Sequence, residues 1–302
     1  MSDDMDRTVG VIGLGRMGLG MARALSERGF VVRGFDLSEN QRRAAEEAGI
    51  PTLSGMADVF PDASVVILSL PTAQDVADVV TSQLPNVGRG AGKRTIVVDT
   101  TTSEPDVSRQ LAVALESAGH GFLDAPVSGG PAGASAGALT MMIGGNESDV
   151  ALARPVLDAL ATTILHVGPS GAGNIAKLIN NLLAAAHMVT TGESLRLAAA
   201  AGLDPAAALR VINSASGRSM ISEVHFPKWI MSERFDSGFS MALMRKDVRL
   251  ASRLAAHTGA ELPLSKCVSD LWLAGSQHLA DTDDFTRMGA FSPSGHRPGE
   301  EA

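Results

Sequence analysis

The 302-residue sequence predicts an α/β domain built on a parallel sheet, followed by an all-helical domain, with one long helix joining the two. Three observations support this fold class. In the first half of the chain, short continuous apolar runs alternate with helical patterns, as expected for parallel strands covered on both faces. After residues 166–169 the strand-like runs end, and Ala, Leu and Met recur at helical spacing to about residue 280. Residues 173–201 have the pattern of one long helix that stops at Gly202.

Composition limits the partners and the location of the protein. The formal charge is −8, and the Lys and Arg residues form no basic run, so nucleic acid and anionic membrane surfaces are not expected as partners. No apolar run reaches the roughly 18–20 residues that a membrane-spanning helix needs. The acidic N-terminus does not resemble a secretory signal, and a single cysteine cannot form an internal disulfide. A cytoplasmic protein is therefore expected.

The cysteine, the histidines, the domain boundaries and the C-terminal tail can also be interpreted from the sequence. Cys267 lies in a helical pattern and is expected to be a buried structural thiol. The seven histidines form no metal-ligand spacing, so no metal site is expected, and His187 and His225 are interpreted as structural. The predicted domains are residues 7–169 and 170–302. The Pro- and Glu-rich tail, residues 292–302, is expected to be disordered.

The first chemical motif is a glycine turn between a strand and a helix. An apolar run at Val9–Ile12 leads into the sequence GLGRMG, a helical pattern follows, and a second apolar run ends at Asp36. This order of strand, glycine turn, helix, strand and acid is typical of a dinucleotide-binding site. The first glycine permits a tight turn, the second lets a pyrophosphate approach the backbone, and the third lets the helix pack on the strand. The candidate residues are Gly13, Leu14, Gly15, Arg16, Met17 and Gly18.

Asp36 predicts which dinucleotide binds. Its carboxylate is expected to accept hydrogen bonds from the adenosine ribose hydroxyls and to repel a 2′-phosphate, so NAD is expected over NADP. No arginine follows it directly. Arg42 and Arg43, on the next helix, are expected to be solvated surface residues.

Two further strands are predicted at Ser64–Leu70 and Thr95–Asp99, with helical patterns after them at about 72–84 and 105–118. Ligands of open α/β sheets bind beyond the carboxyl ends of the strands, so the residues that follow these strands are candidates for cofactor contact. They are Leu70, Pro71 and Thr72, and Asp99, Thr100, Thr101 and Thr102. Alternatively, Pro71 only ends a strand and the threonines only cap the next helices. These roles are compatible with contact.

The stretch 124–145, DAPVSGGPAGASAGALTMMIGG, is rich in Gly and Ala, so its backbone is expected to matter more than its side chains. The successive amides of Ser128, Gly129 and Gly130 can form a concavity that holds an anion, and we predict that this anion is a substrate carboxylate. A flexible linker is the alternative. The apolar run Leu139–Ile143, directly afterwards, argues against it because it predicts another strand of the same sheet.

Lys177 stands alone in the apolar helical stretch GAGNIAKLINNLLAAA, residues 171–186. Asn181 lies four residues later and shares its helix face, whereas Asn180 is expected to point elsewhere. A lysine in a partly dry pocket can exchange a proton with a substrate hydroxyl. An ordinary surface lysine at a helix end is the alternative, and these residues alone leave both interpretations open.

Four stretches taken together resemble the β-hydroxyacid dehydrogenase family, which includes 3-hydroxyisobutyrate dehydrogenases and tartronate semialdehyde reductases. They are GVIGLGRMGLGMARAL, the glycine-rich stretch 124–145, GAGNIAKLINN, and Lys246-Asp247 within MRKDVRLA. The resemblance runs in order from about residue 8 to 290. It implies a Rossmann domain joined by a long helix to an all-helical domain, with the active site in the cleft. It also implies a homodimer or homotetramer.

The resemblance further implies roles for individual residues. Lys177 is the expected general acid/base, and Asn181 is expected to help hold the substrate. Lys246 is expected to close over the nicotinamide and the substrate, with Asp247 orienting it. The carboxylate is expected on Ser128, Gly129 and Gly130, and the nicotinamide half of NAD on Leu70, Pro71 and Thr102. Phe239 occupies the place of a hydrophobic site residue.

The implied activity is NAD-dependent, reversible oxidation of a short 3-hydroxy carboxylic acid resembling 3-hydroxyisobutyrate to its semialdehyde. Reduction of tartronate semialdehyde or glyoxylate is the alternative within the family. A non-catalytic NAD-binding protein is a third possibility, against which Lys177 and Asn181 argue. Arg218 is a candidate to meet a second acidic group on a longer substrate, or else to form a structural salt bridge.

Overall fold

The computed structural model describes residues 7–61, 63–87 and 94–291. The chain divides into two compact units, Met1–Lys177 and Leu178–Ala302. The predicted domain boundaries at 7–169 and 170–302 stay a prediction, and the tail expected to be disordered, 292–302, lies outside the described residues.

The described part of the first unit contains one sheet of eight strands. Strands β1 to β5 are parallel and lie in the spatial order β2-β1-β3-β4-β5. Strand β7 pairs antiparallel with β5 and β6, and parallel with the edge strand β8. The strands are β1 (Thr8–Ile12), β2 (Val31–Phe35), β3 (Val65–Leu68), β4 (Ile96–Asp99), β5 (Gly121–Asp124), β6 (Val127–Ser128), β7 (Leu139–Gly144) and β8 (Ala161–Gly168).

Alternate residues of the central strands pack into two separate cores, one on each face of the sheet. In β3, Val65 and Ile67 belong to one cluster, while Val66 and Leu68 belong to the other. All four residues are buried. Successive side chains of a strand point to opposite faces, so a strand covered on both faces must be apolar throughout. The continuous apolar runs that predicted a parallel sheet are therefore explained by burial on both sides.

In the described part of the first unit, six α-helices lie between these strands in the chain. The sequence predicted α3 and α4 within two residues at each end, but not α5, whose Gly- and Ala-rich sequence has no apolar periodicity. The helices are α1 (Arg16–Glu27), α2 (Glu39–Glu47), α3 (Ala73–Gln83), α4 (Pro105–Ser117), α5 (Gly130–Ala136) and α6 (Glu147–Leu160). The predicted long helix is α7 (Ala172–Ala200), and Gly202 follows it with a φ of +81°. This left-handed conformation favours glycine, which explains why the helix ends there.

The described residues of the second unit form helices and no regular strand, which confirms the all-helical prediction. Its core includes Met188 of α7, Phe226, and the fully buried Trp272, whose indole Nε1 donates to Ala185 O at 3.1 Å. The helices after α7 are α8 (Pro205–Ser214), a π-helix at Ile221–Ile230, α9 (Met241–Thr258), α10 (Pro263–Ala274) and α11 (Arg287–Ala290). Within the described ranges, none of the helices combines the length and the apolarity that crossing a bilayer requires.

The expected burial of Cys267 is wrong, because the residue is exposed. In α10 the buried positions are Val268, Ser269 and Trp272. The apolar face of this helix is therefore offset by one residue from Cys267, which turns the thiol away from the core.

Arg94 connects three elements of the first unit through a buried carboxylate. Its Nε and Nη2 atoms donate to the two oxygens of Asp149 at 2.8 and 3.0 Å, and Nη2 also donates to Glu116 at 2.6 Å. The Asp149 side chain is only 1% exposed. This geometry is a bidentate ion pair between the segment that precedes β4 and helix α6.

We predict that Arg94→Ala lowers the free energy of unfolding by about 3–5 kcal/mol, because it leaves the buried carboxyl group of Asp149 without its guanidinium partner. Urea denaturation followed by circular dichroism measures the change. Arg154→Ala is the matched control, since it removes an arginine from an exposed pair with Asp158 and is expected to change stability by about 1 kcal/mol or less. Equal losses in the two variants would contradict the role given to burial.

Candidate active site

The three glycines of the turn between β1 and α1 meet different surroundings. A Cβ atom on Gly13, whose φ is +89°, would stand 2.2 Å from Ser69 O, and one on Gly18 would stand 1.8 Å from Gly13 O. At Gly15, no described atom outside the glycine and its two chain neighbours lies within 4 Å of the corresponding position. Packing thus requires the outer two glycines, whereas the middle one faces open space at the start of α1. A phosphate group can approach the backbone and the helix N-terminus there, so the turn fits a dinucleotide.

Asp36 follows β2 and lies against the same turn. Its Oδ2 accepts a hydrogen bond from Leu14 N at 2.7 Å, and its Oδ1 accepts one from Ser38 N at 2.8 Å. The two bonds fix the carboxylate beside the glycine turn, where the ribose of a bound dinucleotide is expected.

The expectation that Arg42 is a solvated surface residue is wrong. Its Nη1 donates to Asp36 O at 2.6 Å and to Leu37 O at 3.2 Å, and its guanidinium carbon lies 5.9 Å from the centre of the Phe35 ring. The guanidinium therefore bonds to the backbone of the turn that carries Asp36. Arg43, by contrast, is exposed and pairs with Glu39.

The segments that follow β3 and β4 are tied to each other. Leu70 N donates to Thr101 Oγ1 at 3.1 Å, and Thr101 N donates to Asp99 Oδ1 at 2.9 Å. Thr72 caps α3 in a capping box with Asp75, so the expected capping role is observed for this threonine. The candidate residues Leu70, Pro71 and Thr102 thus lie on two linked segments at the carboxyl edge of the sheet.

Asp124, the last residue of β5, binds the beginning of α7. Its Oδ1 accepts from Gly171 N at 2.7 Å, and its Oδ2 accepts from Asn174 N at 2.9 Å. A Cβ on Gly173 would stand 2.3 Å from Asp124 O, so only glycine lets the helix approach this closely. The backbone N–H groups of a helix start need acceptors, and a carboxylate also complements the positive end of the helix dipole. Burial raises the pKa of Asp124, although these N–H bonds oppose the rise.

Asn174 provides a second attachment for α7. Its Oδ1 accepts from Ser103 N at 2.8 Å and its Nδ2 donates to Ser108 Oγ at 3.0 Å, all within the buried interior. Asp124 and Asn174 were not predicted from the sequence as site residues. The available signal was an acid at the end of an apolar run and an amide in an apolar helix, because buried polar groups of this kind need partners.

Lys177 lies less than one turn after Asn174 and is only 7% exposed. Its Nζ donates to Val127 O at 2.8 Å. Val127 directly precedes Ser128, Gly129 and Gly130, and the two glycines have φ values of +128° and +62°. The structure thus brings the buried ammonium to the predicted anion-binding loop within the first unit.

Asn181 and Asp247 meet inside the second unit. Asn181 is 6% exposed, and its Nδ2 donates to Asp247 Oδ2 at 2.6 Å. Asn180 was expected to point elsewhere. It is exposed, but its Nδ2 donates to Asn181 Oδ1 at 3.1 Å. The predicted contact between Asp247 and Lys246 is longer, with 3.9 Å between Oδ1 and Nζ.

The remaining candidates of the second unit have varied surroundings. The Phe239 ring packs edge-on against Phe285, with 5.3 Å between their centres. The His225 ring lies 4.9 Å from the Trp229 ring between centres, with their planes tilted by 58°, and burial lowers the pKa of His225. Arg218 is exposed and forms no salt bridge with any residue that the structure describes, so the structural ion pair considered for it is not observed.

Two family models match the chain. The model described as the NAD binding domain of 6-phosphogluconate dehydrogenase matches residues 8–168. The model described as the NAD-binding of NADP-dependent 3-hydroxyisobutyrate dehydrogenase matches residues 171–291. Together they cover nearly all of the described residues.

Individual proteins match along almost the whole chain. The 2-(hydroxymethyl)glutarate dehydrogenase of Eubacterium barkeri is 34% identical, over 93% of this chain and 93% of that protein. The NAD-dependent L-serine dehydrogenase of Pseudomonas aeruginosa is 33% identical, over 95% of this chain and 99% of that protein. A solved structure of Mycobacterium tuberculosis 3-hydroxyisobutyrate dehydrogenase with L-serine has a TM-score of 0.86 and 35% identity, and the match covers 93% of this chain and 97% of that chain.

The raised pKa of Asp124 predicts a pH dependence of stability. The folded state holds this proton more tightly than the unfolded chain, whose carboxyl has its ordinary pKa of 3.8. The stability that Asp124 contributes is therefore largest at low pH and declines as pH rises from that value through the folded-state pKa. Because Asn cannot titrate there, we expect the difference in unfolding free energy to shift in favour of Asp124→Asn as pH rises.

Urea denaturation of the wild type and Asp124→Asn across about pH 3.5 to 7 measures this shift. Asp158→Asn, which removes an exposed carboxylate from the same unit, controls for the loss of a charge. A difference that moves in favour of the wild type with rising pH would contradict the direction given for Asp124.

Proposed function

The chain belongs to the β-hydroxyacid dehydrogenase family of NAD(P)-dependent enzymes that oxidise CH–OH groups, and we propose that its substrate is a short 3-hydroxy carboxylic acid resembling 3-hydroxyisobutyrate. The product is the corresponding semialdehyde, and the reaction is reversible. The observation that carries this proposal is the buried Lys177, whose ammonium bonds to Val127 O next to the glycine loop.

The compounds that appear in the names of the three relatives share one chemical scaffold. 3-Hydroxyisobutyrate, L-serine and 2-(hydroxymethyl)glutarate are all HO–CH₂–CH(R)–COO⁻, with R a methyl, an ammonium or a carboxyethyl group. A primary alcohol one carbon away from the carbon that bears the carboxylate is common to all of them. This scaffold supports a site with one anion-binding element, one proton acceptor and a variable pocket for R.

The chain's residues divide the work as follows. The amides of Ser128, Gly129 and Gly130 hold the substrate carboxylate, which determines the carbon atom presented for oxidation. Lys177, beside this loop, acts as a neutral amine that takes the proton of the alcohol when the acid is oxidised, and as an ammonium it returns that proton in the reverse direction. Asn181, one turn later on α7, donates a hydrogen bond to the substrate, and Lys246 contributes a positive charge from α9.

When NAD is bound, its nicotinamide ring is the hydride acceptor. Residues 13–18 and Asp36 hold the adenosine and pyrophosphate half of NAD, while Leu70, Pro71 and Thr102 line the nicotinamide half. The open space at Gly15 and the fixed carboxylate of Asp36 support this assignment. A preference for NAD over NADP follows from the negative charge of Asp36, which opposes a 2′-phosphate.

Reduction of tartronate semialdehyde or glyoxylate is the alternative activity. Glycerate, the alcohol formed from tartronate semialdehyde, has the same scaffold with R a hydroxyl, so the same residues serve both. A non-catalytic NAD-binding protein would not need a buried lysine, and the burial of Lys177 therefore disfavours it. A panel that includes 3-hydroxyisobutyrate, glycerate and glycolate, assayed by NADH absorbance, separates these possibilities.

We also infer that the enzyme is a homodimer or homotetramer in the cytoplasm. Several apolar side chains of the second unit expose at least half of their surface, which supports a subunit interface on this unit. Examples are Leu183, Leu197, Val211 and Leu264. Light scattering after gel filtration tests the oligomeric state. The cytoplasmic location stays a prediction from the single cysteine.

We predict that Lys177→Ala lowers kcat by about 10²-fold or more, because it removes the proton acceptor, while the Kd for NAD stays nearly unchanged. Steady-state kinetics with 3-hydroxyisobutyrate and calorimetric titration with NAD measure the two quantities. Lys266→Ala is the matched control, since Lys266 is exposed and pairs only on the surface with Asp270. Near-normal turnover in Lys177→Ala would refute the role of Lys177.

We predict that the wild type has a higher kcat/KM with NAD than with NADP, and that Asp36→Asn shifts the ratio toward NADP. The reason is the loss of the carboxylate that opposes a 2′-phosphate, with Arg42 remaining close by. Asp78→Asn, an exposed position on α3, is the control. A wild-type preference for NADP, or an unchanged ratio in Asp36→Asn, is the opposite outcome.

A further inference from the structure

Asp247 is a buried carboxylate in the interior of α9. Its side chain is 2% exposed, and it lies away from the helix start, where backbone N–H groups could stabilise a negative charge. Close by in the chain, Leu250 and Ala251 pack with Leu178 in a small apolar cluster. Burying a carboxylate next to such residues is strongly unfavourable unless partners compensate it. The partners of Asp247 therefore indicate what the carboxylate is for.

The short contact of Asp247 is with an amide and not with the neighbouring ammonium. Asn181 Nδ2 donates to Oδ2 at 2.6 Å, whereas Lys246 Nζ lies 3.9 Å from Oδ1. The first is a charge-assisted hydrogen bond, and the second exceeds hydrogen-bonding distance. Asp247 thus acts on Asn181 more directly than on Lys246.

A carboxylate can only accept hydrogen bonds, so it determines which end of the Asn181 amide faces it. The NH₂ group must point toward Asp247, and the carbonyl oxygen must point away. The bond from Asn180 Nδ2 to Asn181 Oδ1, at 3.1 Å, fits this orientation and no other. One N–H of the Asn181 amide is bonded to Asp247, which leaves the second N–H as a donor of fixed direction.

We propose that Asp247 is a positioning residue that locks the Asn181 amide with its second N–H directed at an oxygen of the substrate. The inference rests on the proposed function, in which Asn181 holds a hydroxy acid. If the amide were free to turn over, it would present its carbonyl oxygen to the substrate half of the time. That oxygen repels a carboxylate or the lone pairs of a hydroxyl oxygen, so the lock selects the orientation that binds.

Asp247→Asn tests the lock while it keeps the size and shape of the side chain. An asparagine at 247 can donate or accept, and it therefore no longer dictates the orientation of Asn181. We expect Asp247→Asn to raise the KM for 3-hydroxyisobutyrate about tenfold, the range associated with a hydrogen bond to a charged group. The Kd for NAD is expected to stay within about twofold, because the proposed function assigns Asn181 to the substrate and not to the cofactor.

The double-mutant cycle with Asn181→Ala identifies the route of the effect. If Asp247 acts through Asn181, then Asp247→Asn changes KM by less than about twofold in the Asn181→Ala background. A tenfold change in both backgrounds overturns the proposal. Asp281→Asn is the control: it removes a carboxylate from the buried Arg245, also on α9, and is expected to lower the melting temperature without raising KM.

A second measurement does not depend on turnover. In protein labelled with ¹⁵N-asparagine, the Asn181 side-chain resonances are assigned by their loss in Asn181→Ala. We expect one of the two Asn181 N–H protons to be shifted downfield by the carboxylate, and to lose this shift in Asp247→Asn. Unchanged resonances in Asp247→Asn overturn the proposal, even if the kinetic constants of that variant change.

The two readouts also separate this inference from the proposed function. If the wild type oxidises none of the hydroxy acids but the Asn181 resonance responds to Asp247→Asn, then the proposed function fails and the orientation lock stands. If the wild type oxidises them normally and the resonance does not respond, then the lock fails and the proposed function stands.

Discussion

The attachment of α7 to the end of β5 is the constraint on which the candidate site depends. Two oxygens of Asp124 accept the N–H groups of Gly171 and Asn174, so the first turn of the helix is held at the carboxyl edge of the sheet. Lys177 follows within one turn of that attachment. A long side chain with four rotatable bonds can reach one defined atom, Val127 O, because the helix that carries it cannot shift. The position of the Lys177 side chain thus depends on the hydrogen bonds that Asp124 accepts from the start of α7.

Each of the two units contains charged side chains that are buried. In the first unit Asp124, Asp149 and Lys177 are withdrawn from water, and in the second unit Asp247 and Arg245 are. Some of these charges are structural: Arg245 donates to two backbone carbonyl oxygens and to Asp281, and Asp149 holds Arg94. Lys177 and Asp247, by contrast, contact segments that the proposed function assigns to the substrate: Lys177 bonds to Val127 O beside the glycine loop, and Asp247 bonds to Asn181. A buried charge alone is therefore weak support for function, and the identity of its partners decides.

Much of the fold could be predicted from the sequence because its strands and helices differ in periodicity. The runs VVIL and IVVD are apolar at every position since both of their faces are buried, and residues 173–201 are too long for a strand. The glycine turn and Asp36 were also predictable, because a dinucleotide-binding turn needs glycines and an acid at fixed positions relative to the strands and the helix. Helix α5 escaped prediction since small residues carry no periodic signal.

The site was less predictable wherever it depends on contacts between distant residues. The pairs Asp124 with Asn174 and Asn181 with Asp247 are separated by 50 and 66 positions, and no local pattern reports them. Arg42 was misjudged for a different reason: its partners, Asp36 O and Leu37 O, are close in the chain, but its place on a polar helix gave no sign that its side chain bonds to the preceding turn. Cys267 was misjudged because an apolar helix face shifted by one residue changes burial completely while it hardly changes the pattern.

A crystal structure of the protein with NAD and 3-hydroxyisobutyrate is the most direct test of the central claim, that the anchored α7 presents Lys177 as the proton acceptor. We predict that Lys177 Nζ lies about 2.7–3.2 Å from the substrate hydroxyl, with the carboxylate on the amides of residues 128–130. An ammonium directed into bulk solvent, with the hydroxyl bonded to some other group, would contradict it.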